Sequence, residues 1–193
     1  TVGSGTLNDI SRFVSVKLNI PYIIVCTAPS MDGYASTTSP LIMNGLKLSF
    51  NGVYPSAIVA DIDIMKDAPM HMLGAGLGDV LGKYTALADW MMGHILNDEY
   101  YCRDVADIVD NVIQKCVEAS PALPNRDPDA VQRITEALVL SGTTIGMVGT
   151  SRPVSGEEHQ LAHSWEMIFL AQGRKTHWLH GNKVGVATGA ILE

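Results

Sequence analysis

Cysteine, charge and long apolar runs are all scarce in this 193-residue sequence, and each shortage excludes a class of protein. The three cysteines are an odd number without paired spacing, which argues against a disulfide-stapled secreted protein and predicts reduced thiols in a cytoplasmic one. No apolar run reaches membrane-spanning length and the first ten residues are polar and glycine-rich, so neither a membrane span nor a signal peptide is predicted. The formal net charge of −7 argues against a nucleic acid as partner.

The apolar residues that are present suffice for a core of ordinary size, because 47% of the chain is hydrophobic. The first third has the pattern of strands. Short β-branched runs at residues 22–26 and 57–61 predict strands buried on both faces of a parallel sheet, and Asn44-Gly45 within residues 41–50 predicts a hairpin. A glycine turn at residues 3–9 leads into an amphipathic helix.

From residue 63 onward the sequence changes to helical periodicity, which predicts an α/β region followed by an all-α region with a boundary near residue 63. The predicted helices cover residues 70–96, 103–119 and 129–148, with two more starting at Ser155 and at about Thr176. Glycines clustered at residues 74–82 predict close backbone packing or a bound ligand.

Histidines form the clearest candidate site of the helical region. His159 and His163 are four residues apart, which places both rings on one helix face, and His180 opens another helical run. Imidazole is a common ligand of transition metals, but the spacing is equally typical of a capped or exposed histidine pair. A zinc-protease motif is excluded because Gln160, which cannot act as a base, follows His159. A metal site would need a further ligand, most simply a carboxylate from elsewhere.

Two polar segments in the first third are candidate ligand sites. Residues 27–36 follow a predicted strand and carry several hydroxyls and the carboxylate of Asp32. Ligands of α/β sheets bind at the carboxyl ends of strands, so binding is favoured, although Pro29, Asp32 and Gly33 are also ordinary turn formers. The glycine turn at residues 3–9 offers backbone N–H groups that suit a phosphate, but most short Gly-x-Gly matches are plain turns.

Five motifs together resemble the glycerol-1-phosphate dehydrogenase family, within the superfamily of iron-containing alcohol dehydrogenases and dehydroquinate synthases. They are Gly-Ser-Gly-Thr-Leu-Asn-Asp at 3–9, Thr-Ala-Pro-Ser-Met-Asp-Gly-Tyr-Ala-Ser at 27–36, Gly-Asp-Val-Leu-Gly-Lys at 78–83, Ser-Arg-Pro-Val-Ser-Gly-Glu-Glu-His-Gln-Leu-Ala-His at 151–163 and His-Gly at 180–181. Each motif is short, but together, in this order, they are specific. The bacterial, AraM-like branch is the most similar.

The resemblance implies a role for each matching residue. One divalent metal (zinc, nickel or iron) would be bound by Asp79, His159 and His180. Catalytic residues at the substrate would be Asp32 and His163. NAD or NADP would be bound by Gly5, Thr6, Leu7, Asn8 and Asp9 around its pyrophosphate, and by Thr27, Ala28, Pro29, Ser30 and Ser36 on its nicotinamide side. The resemblance also implies a dehydroquinate synthase-like fold.

The implied reaction interconverts dihydroxyacetone phosphate and sn-glycerol 1-phosphate. The metal would polarise the substrate carbonyl as the nicotinamide delivers hydride, and a histidine or water would relay the proton. Residues 1–62 would be the C-terminal part of a nucleotide-binding α/β domain, and residues 63–193 a helical metal- and substrate-binding domain. Family members are longer, with strands before residue 1 and helices after Glu193, and Val2 replaces a family glycine.

Several alternatives remain open. The chain is expected to be such an enzyme's central portion, or else a non-catalytic metal- or ligand-binding fragment, or part of a related polyol dehydrogenase. Asp79 also fits a simple i,i+4 ion pair with Lys83, and His177 is as good a metal-ligand candidate as the last histidine. Glycine-lined helices favour a homo-oligomer. Ser155 is expected to cap its helix, with Glu158 completing a capping box.

Overall fold

The computed structural model describes residues 1–174 and 177–193, in which a small sheet region is followed by helices. The strands are β1 (Val2–Gly3), β2 (Ile23–Cys26), β3 (Thr38–Met43), β4 (Leu46–Asn51) and β5 (Ala57–Ala60). The α-helices are α1 (Gly5–Leu18), α2 (Ile62–Met65), α3 (Met70–Asn97), α4 (Arg103–Ala119), α5 (Pro128–Val148), α6 (Glu157–Ala171) and α7 (His180–Leu192). Short 3-10 turns lie at Gly33–Ala35 and Ser120–Asn125. The predicted α/β region followed by an all-α region is confirmed.

The sheet is parallel, with strand order β1-β2-β5. Gly3 pairs with Cys26 and Cys26 with Ala60, so the carboxyl ends of all three strands lie at one edge. The glycine turn after β1 and the loop after β2 therefore begin side by side, as the backbone N–H of Thr27 donating to the Gly3 carbonyl at 3.1 Å also indicates. The two-residue strand β1 in front of that turn was not predicted from the sequence.

The hairpin turn falls where the sequence predicted it. Strands β3 and β4 are antiparallel, with Met43 opposite Leu46 and only Asn44-Gly45 between them. Both turn residues have positive φ, 52° and 77°, which is the conformation that Asn-Gly supplies in two-residue hairpin loops. The edge-to-face contact between Phe50 of β4 and Phe13 of α1, at 5.0 Å, ties the hairpin to the first helix.

Strand burial differs from the expectation. Ile24 and Cys26 of β2 are buried, but Ile23 is 50% exposed and Val59 of β5 is 46% exposed. In the described part of the chain the core therefore covers one face of the sheet, and the prediction of strands buried on both faces is wrong. A continuous run of β-branched residues cannot distinguish these cases, because burial is set by what packs on each face.

Helix α1 buries its polar face. Asn8, Arg12 and Ser15 are its buried residues, while its large apolar side chains are partly exposed. Arg12 donates to Asp9 Oδ1 at 3.0 Å, to the Thr38 carbonyl at 2.8 Å and to the Gly33 carbonyl at 2.5 Å. These bonds offset much of the cost of burying the charge, although the Nε of Arg12 has no hydrogen-bond partner among the described residues, and they hold the loop after β2 against α1.

Helix α3 forms the centre of the helical region and packs against α4, α5, α6 and α7. Its buried side chains include Leu73 and Val80, which share one core cluster with Ile24 of the sheet and Ile134 of α5. This core extends across residue 63, and the division into two domains there stays a prediction.

The predicted helix limits hold closely in the helical region. Helix α4 has the expected limits, α5 begins one residue earlier than expected, and the Ser120–Asn125 turn lies in the expected loop. The last helix begins at His180, and Thr176, its expected start, lies outside the described residues. Within residues 1–174 and 177–193, every helix is too short or too polar to cross a membrane.

Thiol labelling tests the core. Burial raises the pKa of the Cys26 thiol to about 11 and that of Cys116 to about 12, whereas Cys102 is partly exposed. Because the thiolate is the reactive form, we expect iodoacetamide at pH 8 to label Cys102 first in the native protein and all three only after denaturation. Peptide mass spectrometry measures this, and rapid native labelling of Cys26 or Cys116 would contradict the described core.

Candidate metal and cofactor site

Three helices bring together the side chains that the resemblance assigned to a metal. Asp79 lies on α3, His159 on α6, and His180 is the first residue of α7. One donor atom from each lies within 4.8 Å of the other two. Asp79 and His159 are buried, whereas His180 is partly exposed. Two imidazoles and a carboxylate thus meet at one point that has a side open to solvent.

The side chain of Lys83 lies between the carboxylates of Asp32 and Asp79, next to the two histidines. Its side chain is fully buried, and Nζ donates to Asp32 Oδ2 at 2.9 Å and to Asp79 Oδ1 at 3.2 Å. Asp79 Oδ2 accepts the backbone N–H of Asp32 at 3.0 Å. Burial opposes ionisation of Asp79, but Lys83, His159 and His180 together outweigh it and hold the pKa of that carboxyl below its usual range. The i,i+4 ion pair considered from sequence therefore exists, inside the site rather than on a solvated surface.

The ring of His159 is held by carboxylates on both sides. Its Nδ1 lies 2.6 Å from Glu158 Oε1, and its Nε2 lies 3.6 Å from Asp79 Oδ1. Glu158 is fixed in turn, because it accepts the Thr85 hydroxyl at 2.6 Å and the Gly156 backbone N–H at 2.8 Å. Burial lowers the pKa of His159, but the interactions with the carboxylates of Asp79 and Glu158 outweigh burial and raise it to about 9. A carboxylate on one ring nitrogen is the usual way to orient a metal-binding imidazole.

The start of α6 corrects one prediction. The helix begins at Glu157 with Gly156 as its N-cap, so Ser155 is not the cap and the capping box is wrong. The cause is the close approach of α3: a Cβ at Gly156 would lie 2.8 Å from Ala86 Cα. Glu158 consequently points into the protein and binds His159 instead of closing a box with Ser155.

His163 lies one turn beyond His159 on the same helix. Its ring centroid is 6.2 Å from that of His159 and 5.3 Å from that of His180. Burial, followed by the positive charge of Lys47, lowers the pKa of His163 to about 4. At pH 7 this imidazole is therefore neutral and has a ring nitrogen able to accept a hydrogen bond.

The residues assigned to the cofactor lie in two adjoining segments at the carboxyl edge of the sheet. Residues 5–9 form the first turns of α1, and residues 27–36 follow β2. The segments touch, because a Cβ at Gly5 would lie 3.2 Å from Met31 Cγ. The second segment also reaches the histidine cluster through Asp32 and Lys83. All the assigned residues are thus arranged around one region.

Several of these residues already have partners within the protein. Asn8 donates from Nδ2 to the Gly33 carbonyl at 3.0 Å, and Asp9 pairs with Arg12. The Ser36 hydroxyl oxygen accepts a backbone N–H at 3.0 Å. Ala28, Pro29 and Ser30 are buried, Thr27 and Gly5 are partly buried, and Thr6 and Leu7 are exposed. The side chains of Asn8 and Asp9 therefore support the loop, whereas the start of α1 is accessible.

Helices α3 and α7 meet backbone to backbone beside His180. A Cβ at Gly181 would lie 2.0 Å from the Ala75 carbonyl oxygen, and one at Gly78 would lie 2.5 Å from the Gly181 carbonyl oxygen. A backbone cannot move aside as a flexible side chain can, so glycine is needed at these positions. This contact brings His180 close to Asp79, and it assigns close packing rather than a ligand to Gly78.

The donor set suits a divalent transition metal. Two imidazoles and one carboxylate are ligands that zinc, nickel and iron accept, and zinc bonds of about 2.0–2.2 Å let donors this close share one ion after small side-chain adjustments. A second group, His163, Glu166 and His180, has donor atoms equally close. Glu166 is paired with two lysines and Asp79 with one, so the group containing Asp79 is the better candidate. His177 is exposed and belongs to neither group.

Three charged residues beside the histidines were not predicted as site residues from the sequence: Lys47, Lys83 and Glu166. Glu166 had a signal, because it lies seven residues after His159 and three after His163, on the same helix face. Lys83 was considered only as an ion-pair partner of Asp79. Lys47 has no local signal, since the glutamate it contacts is 119 residues away in the chain.

The chain is similar in sequence to proteins of known family. Residues 1–69 match the model of a family described as iron-containing alcohol dehydrogenase. The glycerol-1-phosphate dehydrogenase (NAD(P)+) of Halalkalibacterium halodurans is 43% identical over 190 residues, covering 98% of this chain and 47% of that protein. The protein of the same name from Sulfolobus acidocaldarius is 37% identical over 188 residues, covering 97% and 52%.

The chain is homologous to the glycerol-1-phosphate dehydrogenases. The resemblance seen in its five motifs is confirmed, and the chain spans about half the length of the curated relatives it matches.

Solved structures agree on the fold. A probable glycerol dehydrogenase from Sinorhizobium meliloti 1021 superposes with a TM-score of 0.77 at 20% identity, covering 99% of this chain and 54% of that one. A sulfoacetaldehyde reductase from Bifidobacterium kashiwanohense, in complex with NAD+, gives 0.72 at 18% identity, covering 98% and 52%. The expected fold is confirmed.

The glycine contact generates a prediction about stability. Gly181→Ala is expected to lower the free energy of unfolding by about 1–3 kcal/mol, because the new methyl group has no space between α7 and α3. Gly189→Ala in the same helix is the matched control, since nothing lies within 4 Å of its Cβ position. The control should be neutral or more stable by up to about 1 kcal/mol. Urea unfolding followed by circular dichroism compares them, and equal stabilities would argue against the described contact.

The donor set generates a prediction about metal content. In the full-length protein, His159→Ala is expected to weaken metal affinity at least about tenfold, whereas His163→Ala and the exposed-site control His177→Ala should keep the metal. Elemental analysis by inductively coupled plasma mass spectrometry, after desalting, gives the metal-to-protein ratio. A full equivalent of metal in His159→Ala would exclude this donor set.

Proposed function

We propose that this chain forms the central, metal- and substrate-binding portion of an NAD(P)H-dependent oxidoreductase that interconverts dihydroxyacetone phosphate and sn-glycerol 1-phosphate. The observation that carries the proposal is the convergence of Asp79, His159 and His180 next to Asp32 and His163. The names of the homologous proteins support both the reaction and the nicotinamide cofactor. In this proposal residues 1–62 belong to the nucleotide-binding domain and residues 63–193 to the helical domain.

Asp79, His159 and His180 would hold one divalent metal, zinc, nickel or iron. When bound there, the metal supplies a Lewis acid for the carbonyl oxygen of the substrate. Glu158 keeps the His159 ring in place through its 2.6 Å contact with Nδ1. Lys83 holds the carboxylates of Asp32 and Asp79 in place, because it is buried between them and donates to both.

His163 and Asp32 would act on the substrate. The neutral His163 ring, with a pKa of about 4, has a nitrogen that is free to accept a proton. In the oxidative direction this nitrogen would take the proton of the substrate hydroxyl, and in the reductive direction it would return it. Asp32, bound to Lys83 at 2.9 Å, would position the substrate beside the loop that starts at Thr27.

NAD or NADP would bind along the carboxyl edge of the sheet and supply the hydride. Backbone N–H groups in the first turn of α1, at Gly5, Thr6 and Leu7, suit a pyrophosphate because they lack partners within the helix. The loop of residues 27–36 would line the nicotinamide side. A small-molecule substrate rather than a nucleic acid fits a site of this kind, while a cytoplasmic location and a homo-oligomeric state stay predictions from the sequence.

The test is NADH or NADPH oxidation by dihydroxyacetone phosphate, measured at 340 nm with the full-length, metal-loaded protein. We expect turnover, formation of sn-glycerol 1-phosphate rather than its enantiomer, and loss of about 10²–10⁴ in kcat for His163→Ala with its metal retained. Preference for an unphosphorylated polyol would instead identify a polyol dehydrogenase. Failure to bind either nucleotide would identify a non-catalytic binding protein.

A further inference from the structure

Glu166 lies between two lysines beside the histidine cluster. It is on α6, three residues after His163. Lys183 of α7 donates to its Oε1 at 2.7 Å, and Lys47 of β4 donates to its Oε2. All three side chains are less than 20% exposed, which is low for charged groups. Two ammonium groups against one carboxylate leave one excess positive charge in a chain whose overall formal charge is −7.

This cluster adjoins the proposed metal ligands. Nδ1 of His180 lies 3.8 Å from Glu166 Oε1, and Lys183 follows His180 by three residues, about one helical turn. Lys47 arrives from the hairpin, and it lies near enough for its charge to lower the pKa of His163. The sheet region and the helical region thus each contribute one ammonium group next to the histidines.

We infer that Lys47 and Lys183 bind the phosphate group of the substrate. This inference rests on the proposed function and specifies which end of the substrate lies where. In dihydroxyacetone phosphate only a methylene group and an ester oxygen separate the carbonyl carbon from the phosphorus. A carbonyl held beside Asp79, His159 and His180 therefore requires cations very close by.

Lys83, another lysine beside the histidines, is not available to bind the substrate phosphate. Lys83 is fully buried and is bonded to both Asp32 and Asp79. Lys47 and Lys183 share a single carboxylate and remain partly accessible, so each has donor capacity left. A carboxylate and a phosphate present similar pairs of acceptor oxygens, so the arrangement that the two lysines make around Glu166 also suits a phosphate.

Glu166 has a distinct part in this site. Its carboxylate holds the two ammonium groups together, and the lysines and His180 outweigh the cost of its burial and keep its pKa below the usual range. The same negative charge repels an incoming phosphate dianion. Removing the charge of Glu166 should therefore strengthen anion binding, whereas removing either lysine should weaken it. A purely structural ion pair between β4 and α6 predicts the same sign for both changes.

The experiment compares two ketone substrates in the full-length, metal-saturated protein: dihydroxyacetone phosphate and dihydroxyacetone, which has the same carbonyl but no phosphate. Lys47→Met and Lys183→Met are expected to lower kcat/KM for the phosphorylated substrate by about 10–100-fold, mostly through KM, since charge-assisted hydrogen bonds are lost. In Lys183→Met, which removes a charge that is not among those shifting the pKa of His163, the value for dihydroxyacetone should change by less than about threefold. Lys115→Met, on the exposed side of α4, is the control and should match the wild type.

Inorganic phosphate provides a second readout that does not depend on turnover. Calorimetric titration should show weaker phosphate binding in both lysine variants and tighter binding in Glu166→Gln. Equal losses for both ketones, or unchanged phosphate binding in the lysine variants, would overturn the inference. If the wild type reduces neither ketone, the proposed function fails, and the phosphate titration still decides whether these lysines bind the anion.

Discussion

The buried ammonium group of Lys83 connects the parts of the molecule on which the site depends. It extends from α3 to Asp32 in the loop after β2 and to Asp79 one turn earlier on its own helix. A charge taken fully out of water is stable only with close partners, and removing one partner of a buried pair typically costs about 3–5 kcal/mol. Separating the loop from α3 would remove one of the two carboxylates that pair with this buried charge, so the ion pair holds the candidate cofactor region and the candidate metal region together.

A second buried cation holds the same loop from its other side. Arg12 of α1 donates to the carbonyls of Gly33 and Thr38 and to the carboxylate of Asp9. The loop thus lies between two buried positive charges, each carried by a helix. This explains why the buried face of α1 is polar: the helix secures the loop through hydrogen bonds more than it contributes to the apolar core.

The histidines one turn apart on α6 differ in charge state because their surroundings differ. Two carboxylates raise the pKa of His159 to about 9, whereas burial near Lys47 lowers that of His163 to about 4. The four-residue spacing on α6 does not distinguish the charge states of His159 and His163. The two carboxylates hold the His159 ring in a fixed orientation, whereas the His163 ring is neutral and has a nitrogen able to accept a hydrogen bond. The roles of metal ligand for His159 and proton acceptor for His163 stay predictions implied by the family motifs.

The sequence by itself determined the local structure and the family. The Asn44-Gly45 turn and the limits of α4 and α5 depend on preferences that act within a few residues, so they could be predicted. The family followed from five motifs taken together. The proximity of Asp79, His159 and His180 was inferred only from resemblance, because no spacing rule joins residues on three helices.

Only the tertiary structure decided which faces are buried and which charges meet. The N-cap of α6 is Gly156 and not the predicted Ser155, because α3 lies too close to position 156 for any side chain. The tertiary structure also exposed one face of the strands and brought Lys47 to Glu166 across 119 residues. Burial and ion pairing depend on contacts between segments that are distant in sequence, whereas periodicity and turn chemistry record only neighbours along the chain.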